Sequence, residues 1–465
     1  MAVVPVPGSQ LTGLPTSVDE AIPVAVRDLL ASLRDAGHAA YVVGGSLRDV
    51  VLGRRPADWD LASTALPEQV VELFPGSLYE NRFGTVAVRR DGETFEITTF
   101  RSDHDYADFR RPHRVEFGDS IELDLARRDF TVNAMAWGAQ PGEPERLLDP
   151  YHGVADAAAR SLRAVGDPAK RFEEDALRMV RAIRLSTTLG LEIEPATLDG
   201  IRATADLVRH LSGERIAAEL DKLLGAERAS VGLRLLQETG LLAGISGDLA
   251  AQRGVPQNKV PGEDLWDHTV RTVDAAPASR PIVRLTALVH DIGKPATFAE
   301  GRFVGHETVG ADLAGAFLDR LHAPRTVRER VTALVRQHMF GYEPSWSDAA
   351  VRRFIAKMDG IGEGALDELL ALREADNVGS GLPAGAGRIE ELRARVAAAR
   401  DADLVLDRGG LAVDGNDLMT ELGLDEGPRL GRMLEGLLEL VIADPALNER
   451  PTLLLLAQGM LTEER

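Results

Sequence analysis

The chain has 465 residues, 44% of them hydrophobic, with 53 Lys and Arg against 73 Asp and Glu for a net charge of −20, and no cysteine. At about 150 residues per domain the length predicts roughly three domains, and the acidity excludes a protein that coats nucleic acid by bulk charge. The missing cysteine excludes disulfides, thiolate metal sites and thiol nucleophiles, so any metal must be held by His, Asp or Glu.

Residues 1–20, rich in Pro, Gly, Ser and Thr, read as a flexible tail with no basic leader before Arg27. Residues 21–35 carry apolar side chains at helical spacing, and Ala39–Val43 read as a short buried strand ending at Gly44-Gly45. Gly44, Gly45 and Ser46 then let backbone N–H groups approach an anion at the start of a helix. Arg48 lies one turn in, placed to meet a triphosphate. Asp58 and Asp60 are two apart, so on an extended segment both carboxylates project from one face and share divalent cations. Strands are expected at Thr85–Arg89 and Thr94–Thr99, joined through Asp91-Gly92, and Glu96 on the second is the candidate third carboxylate. Taken alone, 44–60 reads equally well as a glycine turn followed by a solvated acidic loop, and Glu96 as a surface residue.

From about residue 155 onward the pattern is helical, as in Glu173–Leu185, Gly213–Leu224, Arg325–His338 and Ala365–Glu374. Residues 160–184 are basic in an acidic chain: Arg160, Arg163, Lys170, Arg171, Arg178, Arg181 and Arg184 face Asp167, Glu173, Glu174 and Asp175, or +3. Asp175 and Arg178, three apart on a predicted helix, are expected to be neighbours. Cytosine and adenine both present an amine donor beside a ring-nitrogen acceptor, which a carboxylate and a guanidinium side by side complement. The other reading is an ordinary surface ion pair. Breaks are expected at 250–262 and near Gly379–Gly387, and the best apolar run, Leu453–Leu456, is far too short to cross a bilayer.

Five motifs in order, the glycine and Asp-x-Asp segment 44–60, RRDFTVNAM at 127–135, LLDPYHGVAD at 147–156, RAVGDPAKRFEEDALRMVRAIR at 163–184 and LSGERIAAEL at 211–220, resemble the signature set of class II tRNA nucleotidyltransferases, the CCA-adding enzymes, which bacterial poly(A) polymerases share. The resemblance covers residues 21–250. It implies catalysis with Mg2+ at Asp58 and Asp60, with Glu96 completing the site, and nucleotide binding by Gly45, Arg48, Arg128, Asp175, Arg178, Arg181 and Arg184. It also implies that Asp129 and Asn133 shape the sugar site, and that Glu214, Arg215 and Glu219 brace the base-reading helix, an Arg215–Glu219 pair being the expected means. The implied substrates are CTP, ATP and the tRNA 3′ end. His152 stands where that family commonly has glycine, and Ala157 where leucine is usual. The segment 100–125 sits where a mobile loop that reshapes the pocket between C and A addition belongs and looks complete. The chain's end is not the basic extension expected of a poly(A) polymerase. Both features favour CCA addition.

Residues 264–380 contain LWDHTV, LVHDIGKP, GHETVGA, RQHM and READN. Adjacent His290 and Asp291 on an apolar helix need a reason for burial, and metal ligation is the usual one. In order, His268, His290, Asp291 and Asp376 resemble the ligands of the HD phosphohydrolase superfamily, and His306 and His338 add the two histidines of its two-metal members; His322 matches nothing. The resemblance implies Ni2+, Co2+ or Mn2+ and attack by an activated water on a phosphoester, with cyclic phosphates at tRNA ends as a substrate.

The expected fold is α+β: a flexible tail (1–20), a polymerase-beta-like α/β nucleotidyltransferase head (21–157), a helical neck and body (158–255), an HD domain (256–385) and a helical tail (386–465). A cytoplasmic CCA-adding enzyme without a membrane partner is expected. The rivals are a poly(A) polymerase and an HD signalling hydrolase whose head only senses nucleotides.

Overall fold

Pro23 fixes φ and sets the start of the first long helix: a single turn at Val18–Ala21 ends before it, and the helix runs Val24–Asp35 rather than from 21. Its Val26, Leu29, Leu30 and Leu33 are fully buried, the i, i+3, i+4, i+7 stripe of a helix laid on a sheet. This is a computed structural model that describes residues 18–79, 84–106, 112–118, 120–257, 259–402 and 407–463; most of the expected tail, 1–17, lies outside them. The chain divides into two compact units meeting at Gly247 and Asp248.

The strands before residue 150 are β1 (Ala40–Val43), β2 (Asp60–Ser63), β3 (Leu78–Tyr79), β4 (Thr85–Arg90), β5 (Glu93–Thr99), β6 (Arg101–Tyr106), β7 (Pro112–Phe117), β8 (Ala136–Ala139) and β9 (Arg146–Leu148). Seven form one sheet in the order β3-β4-β5-β2-β1-β8-β9, and β6 pairs with β7 in a separate hairpin. Within the sheet β2 and β5 run parallel. Val42, Leu61, Val88 and Ile97 pack with the helix leucines on one face, while Tyr41, Val43, Ala62, Phe100, Ile121 and Leu125 pack on the other. The expected pocket-reshaping loop falls on the β6–β7 hairpin, whose tip, 107–111, lies outside the described residues.

The helical expectation for the rest holds with two small exceptions, a parallel pair 161–162 with 192–193 and an antiparallel pair 298–299 with 302–303. Gly213–Leu224 is a helix as expected, and Ala365 begins one that runs on to Gly379. The predicted helix Glu173–Leu185 is broken. One helix spans Pro168–Glu174 and another Leu177–Leu189, and Asp175 between them is extended at φ −149°, ψ 104°. The cause is local, since the Asp175 carboxylate accepts the Leu177 N–H at 3.1 Å and so competes with the helical backbone.

His152 has φ 61° and ψ 34°, the left-handed region that favours glycine. The next residue has no such latitude: a Cβ on Gly153 would lie 2.2 Å from the Thr131 carbonyl oxygen. Gly153→Ala therefore forces a backbone shift and is expected to destabilise by about 1–3 kcal/mol. Gly247→Ala, where a Cβ meets nothing within 4 Å, should stay within about 0.5 kcal/mol, both read as shifts in thermal midpoint.

Candidate functional site

Asp60 opens β2 and is paired in register with Val43 of β1 and Glu96 of β5. Directly opposed residues share a face of the sheet, so the Asp60 and Glu96 carboxylates stand on the same side, and Asp58 lies two residues back. Trp59 between the aspartates packs against the core of the other face, which anchors the strand entry. Burial, then the neighbouring Asp58, push the Asp60 carboxyl above its ordinary value against the pull of Arg128 and Arg48. An all-oxygen donor set of mutually repelling carboxylates is what a hard divalent cation neutralises.

Gly44 precedes the helix Gly45–Val51 with φ 78°. A Cβ there would lie 2.9 Å from Arg128 Nη1 and 3.9 Å from Asp60 Oδ2, so the absence of a side chain at Gly44 lets the loop and the Arg128 guanidinium come close. Arg48 donates from Nε and Nη2 to Asp49 Oδ1 at 2.9 and 2.8 Å, and from Nη1 to Asn133 Oδ1 at 2.9 Å. Asn133 in turn donates to Asp129 at 2.9 Å.

Beyond Asp129 the contacts run into the helix Leu177–Leu189. Arg181 reaches Asp129 Oδ2 at 3.2 Å and Glu219 Oε1 at 3.1 Å, and Arg184 reaches Glu219 Oε2 at 2.6 Å. Asp129 is buried, yet Arg181 leads the contacts that hold its carboxyl below the ordinary value. Asp175 and Arg178 do not sit as helical neighbours. Asp175 Oδ2 accepts from Arg215 at 2.7 Å, while Arg178 donates to Glu174 at 2.7 Å and to the Arg127 carbonyl at 3.0 Å. The brace from Arg215 and Glu219 thus reaches across helices, where an i,i+4 pair within one helix was expected. Arg171, Arg178, Arg181 and Arg184 of the basic segment are committed inside the fold in this way, while Arg160, Arg163 and Lys170 are exposed. Asp49, Asp124 and Glu174 carry ion pairs to Arg48, Arg128 and Arg178 respectively, and neither periodicity nor motif spacing pointed to these pairings.

The second unit brings the six expected ligands together. His268, His290 and Asp376 form one buried group and Asp291, His306 and His338 another, with ligand atoms within 4.8 Å of each other in each. Asp291 spans the two: Oδ2 lies 3.3 Å from His268 Nε2 and 3.2 Å from His290 Nε2, and Oδ1 lies 3.4 and 3.6 Å from Nε2 of His306 and His338. Nδ1 of His290, His306 and His338 lies 2.8, 2.8 and 2.6 Å from the carbonyls of Ala287, Phe303 and Val335. A carbonyl only accepts, so each Nδ1 carries the proton and each Nε2 presents its lone pair to the centre. Nε2 of His306 and His338 is buried and makes no hydrogen bond. Such orphaned lone pairs beside shared carboxylates fit two divalent metals, and mixed imidazole and carboxylate donors suit transition ions. Despite burial, His290 and Lys294 hold the Asp291 carboxyl well below its usual range, and Lys294 Nζ is 2.6 Å from Oδ2. A cavity of about 680 Å3 opens on the site, lined by Lys259, Lys294, Arg302 and Arg373 among others.

Three family models match the chain: Poly A polymerase head domain over residues 40–163, probable RNA and SrmB-binding site of polymerase A over 190–252, and HD domain over 258–381. The chain is 32% identical over 431 residues to the CCA-adding enzyme of Geobacillus stearothermophilus, covering 91% of this chain and 93% of that one. It is 34% identical over 448 residues to the CCA-adding enzyme of Levilactobacillus brevis, covering 96% and 98%. It is similar to the crystal structure of the Bacillus stearothermophilus CCA-adding enzyme in complex with CTP, with a TM-score of 0.70 at 29% identity, over 95% of this chain and all of that one.

Metal binding to the native histidine site stabilises by mass action, about 2.7 kcal/mol at 100 times the dissociation constant. Mn2+ or Ni2+ should raise the thermal midpoint of the wild type. Asp291→Asn, which weakens both halves, should lose that rise, and His322→Asn should keep it.

Proposed function

The chain belongs to the CCA-adding enzyme family, and we propose that its first unit carries out that family's reaction: addition of C, C and A to the tRNA 3′ end from CTP and ATP, without a nucleic-acid template, releasing pyrophosphate. The observation that carries this is full-length similarity to CCA-adding enzymes, one of them seen with CTP. The division into tail, head, neck and body, HD domain and helical tail belongs to the same proposal, as do the roles of the residues that follow.

Asp58, Asp60 and Glu96 would hold divalent cations, magnesium being the ion their oxygens suit, which supply charge neutralisation for transfer at the α-phosphate. Arg48, fixed by Asp49 and Asn133, and the Gly44–Gly45 backbone receive the triphosphate. Arg128 sits against that same loop and faces the nucleotide. Asp175 accepts the exocyclic amine of C or A while Arg178 donates to the ring nitrogen, a pattern G and U cannot satisfy without leaving buried groups unpaired. Arg215 and Glu174 orient this pair before any base arrives, so less ordering is left for binding. Arg181 and Arg184, tied to Glu219, keep the helix that carries Arg178 in place.

The second unit is read as a phosphohydrolase. The six ligands would hold transition metals, Ni2+, Co2+ or Mn2+, which supply an activated water. Lys259, Lys294, Arg302 and Arg373 draw the phosphate of the substrate into the cavity, and a 2′,3′-cyclic phosphate at a tRNA end is the first one to test. Among the described residues no helix is long and apolar enough to cross a membrane, and a cytoplasmic enzyme that works on tRNA is the reading adopted.

Transcripts of tRNA ending at the discriminator base, at C or at CC, given CTP and ATP, should each be completed to CCA and no further. Open-ended A addition would show a poly(A) polymerase instead. Arg178→Ala should lower CTP and ATP use by roughly 10–100-fold, as loss of a charge-assisted contact does, and relax rejection of GTP and UTP. For the second unit, ring opening of 2′,3′-cyclic AMP with Ni2+, Co2+ or Mn2+ is expected and should vanish in Asp291→Asn. No opening with any of the three ions would remove the hydrolase reading.

A further inference from the structure

Asp124 belongs to none of the motifs, yet it lies where the cations of the first unit converge. Its side chain is 1% exposed. One carboxylate oxygen accepts from Arg127 Nε and Nη2 at 3.0 and 2.6 Å, and the other accepts from Arg128 Nη2 at 3.1 Å. A carboxylate this deep is stable only while its lone pairs are filled, so Asp124 and the two guanidinium groups fix one another. Arg128 has little further freedom. Its Nη1 sits where a Cβ on Gly44 would be 2.9 Å away, beside Asp60. The carboxylate holds the guanidinium on one side and the metal loop bounds it on the other.

The short helix that bears Asp124, Ile121–Ala126, meets the neck at its other end. Its terminal carbonyls lack intrahelical donors. Two neck arginines supply them: Arg171 Nη2 donates to Ala126 O at 2.8 Å and Arg178 Nη2 donates to Arg127 O at 3.0 Å. Arg128 and Arg178 are therefore both held by atoms of residues 124–127.

We propose that Asp124 is a positioning residue of the nucleotidyl-transfer site, which sets Arg128 against the Gly44–Asp60 loop and, through its helix, keeps that arginine in register with Arg178. It acts through Arg128 and does not touch the nucleotide. The inference rests on the reading that Arg128 faces the nucleotide. Since Arg128 meets the metal loop and not the Asp175–Arg178 pair, the effect of losing Asp124 falls alike on CTP and ATP.

The test is Asp124→Asn, which keeps shape and removes charge, beside Arg128→Met and the double variant. Nucleotide affinity is measured by calorimetry on tRNA-free, magnesium-supplied full-length protein shown folded by circular dichroism. KM and kcat come from primer extension. Asp124→Asn is expected to weaken CTP and ATP equally, about tenfold, with KM moved more than kcat and the tRNA KM and rejection of GTP and UTP unchanged. The double variant should be no worse than Arg128→Met. Wild-type nucleotide affinity in Asp124→Asn, or a loss that adds to that of Arg128→Met, overturns the proposal. If Arg128→Met itself binds nucleotide normally, the reading of Arg128 falls and this inference with it; an impaired Arg128→Met beside a normal Asp124→Asn removes the inference alone. Should Asp124→Asn not fold, Arg128→Lys keeps the cation but not the fork that spans Asp124 and the loop. It should show the same tenfold loss, and unchanged affinity would equally overturn the proposal.

Discussion

The first unit depends on a small number of buried carboxylates that bind arginines, two of which, Glu219 and Asp124, hold two arginines each. Asp129 and Glu219 both bind Arg181, and Glu219 also takes Arg184. Asp124 takes Arg127 and Arg128. Such pairs add little net stability, because desolvation offsets much of the attraction, but removing one partner strands a charge and is severe. Their value here is geometric. A guanidinium fork bound on two sides has one orientation, and these forks tie the segment 124–133 to the helices that follow.

That constraint also decides where the charge of the chain's one basic segment goes. Of the seven basic residues of 160–184, Arg171, Arg178, Arg181 and Arg184 are turned inward and paired with carboxylates. Around the histidine centre of the second unit the same economy appears in another form. Backbone carbonyls take the Nδ1 protons of three histidines, so every lone pair left over points at one spot. The charge pattern of the whole chain says little about either place, because both are built by local pairing in low dielectric.

Several parts of this were legible in the residues. The strand Ala40–Val43, its glycine turn and the alternation around Glu96 follow from period-two patterning and turn chemistry, and the parallel register of β2 and β5 then sets Glu96 opposite Asp60. The adjacent His290 and Asp291 were readable too, since a His beside an Asp in an apolar helix is costly to bury unless a cation takes up their lone pairs; the other four members of the cluster followed only from the resemblance to the HD superfamily. Other parts were not. Nothing in the spacing of Glu173–Leu185 announced that the Asp175 side chain would cap a new helix and break the old one. The extended backbone at that residue sends its carboxylate to Arg215 while the Arg178 guanidinium goes to Glu174, so the expected side-chain pair is not formed although the Arg178 N–H still donates to the Asp175 carbonyl at 3.0 Å.

What the sequence determined by itself was the set of chemistry-bearing residues and the elements that carry them, because periodicity, turn residues and motif spacing are local properties. Which carboxylate holds which arginine was decided only by the tertiary structure. Asp124 with Arg128, Asp175 with Arg215 and Glu219 with both Arg181 and Arg184 are choices among many possible ion pairs. Distance and burial make that choice, and both exist only once the chain has folded.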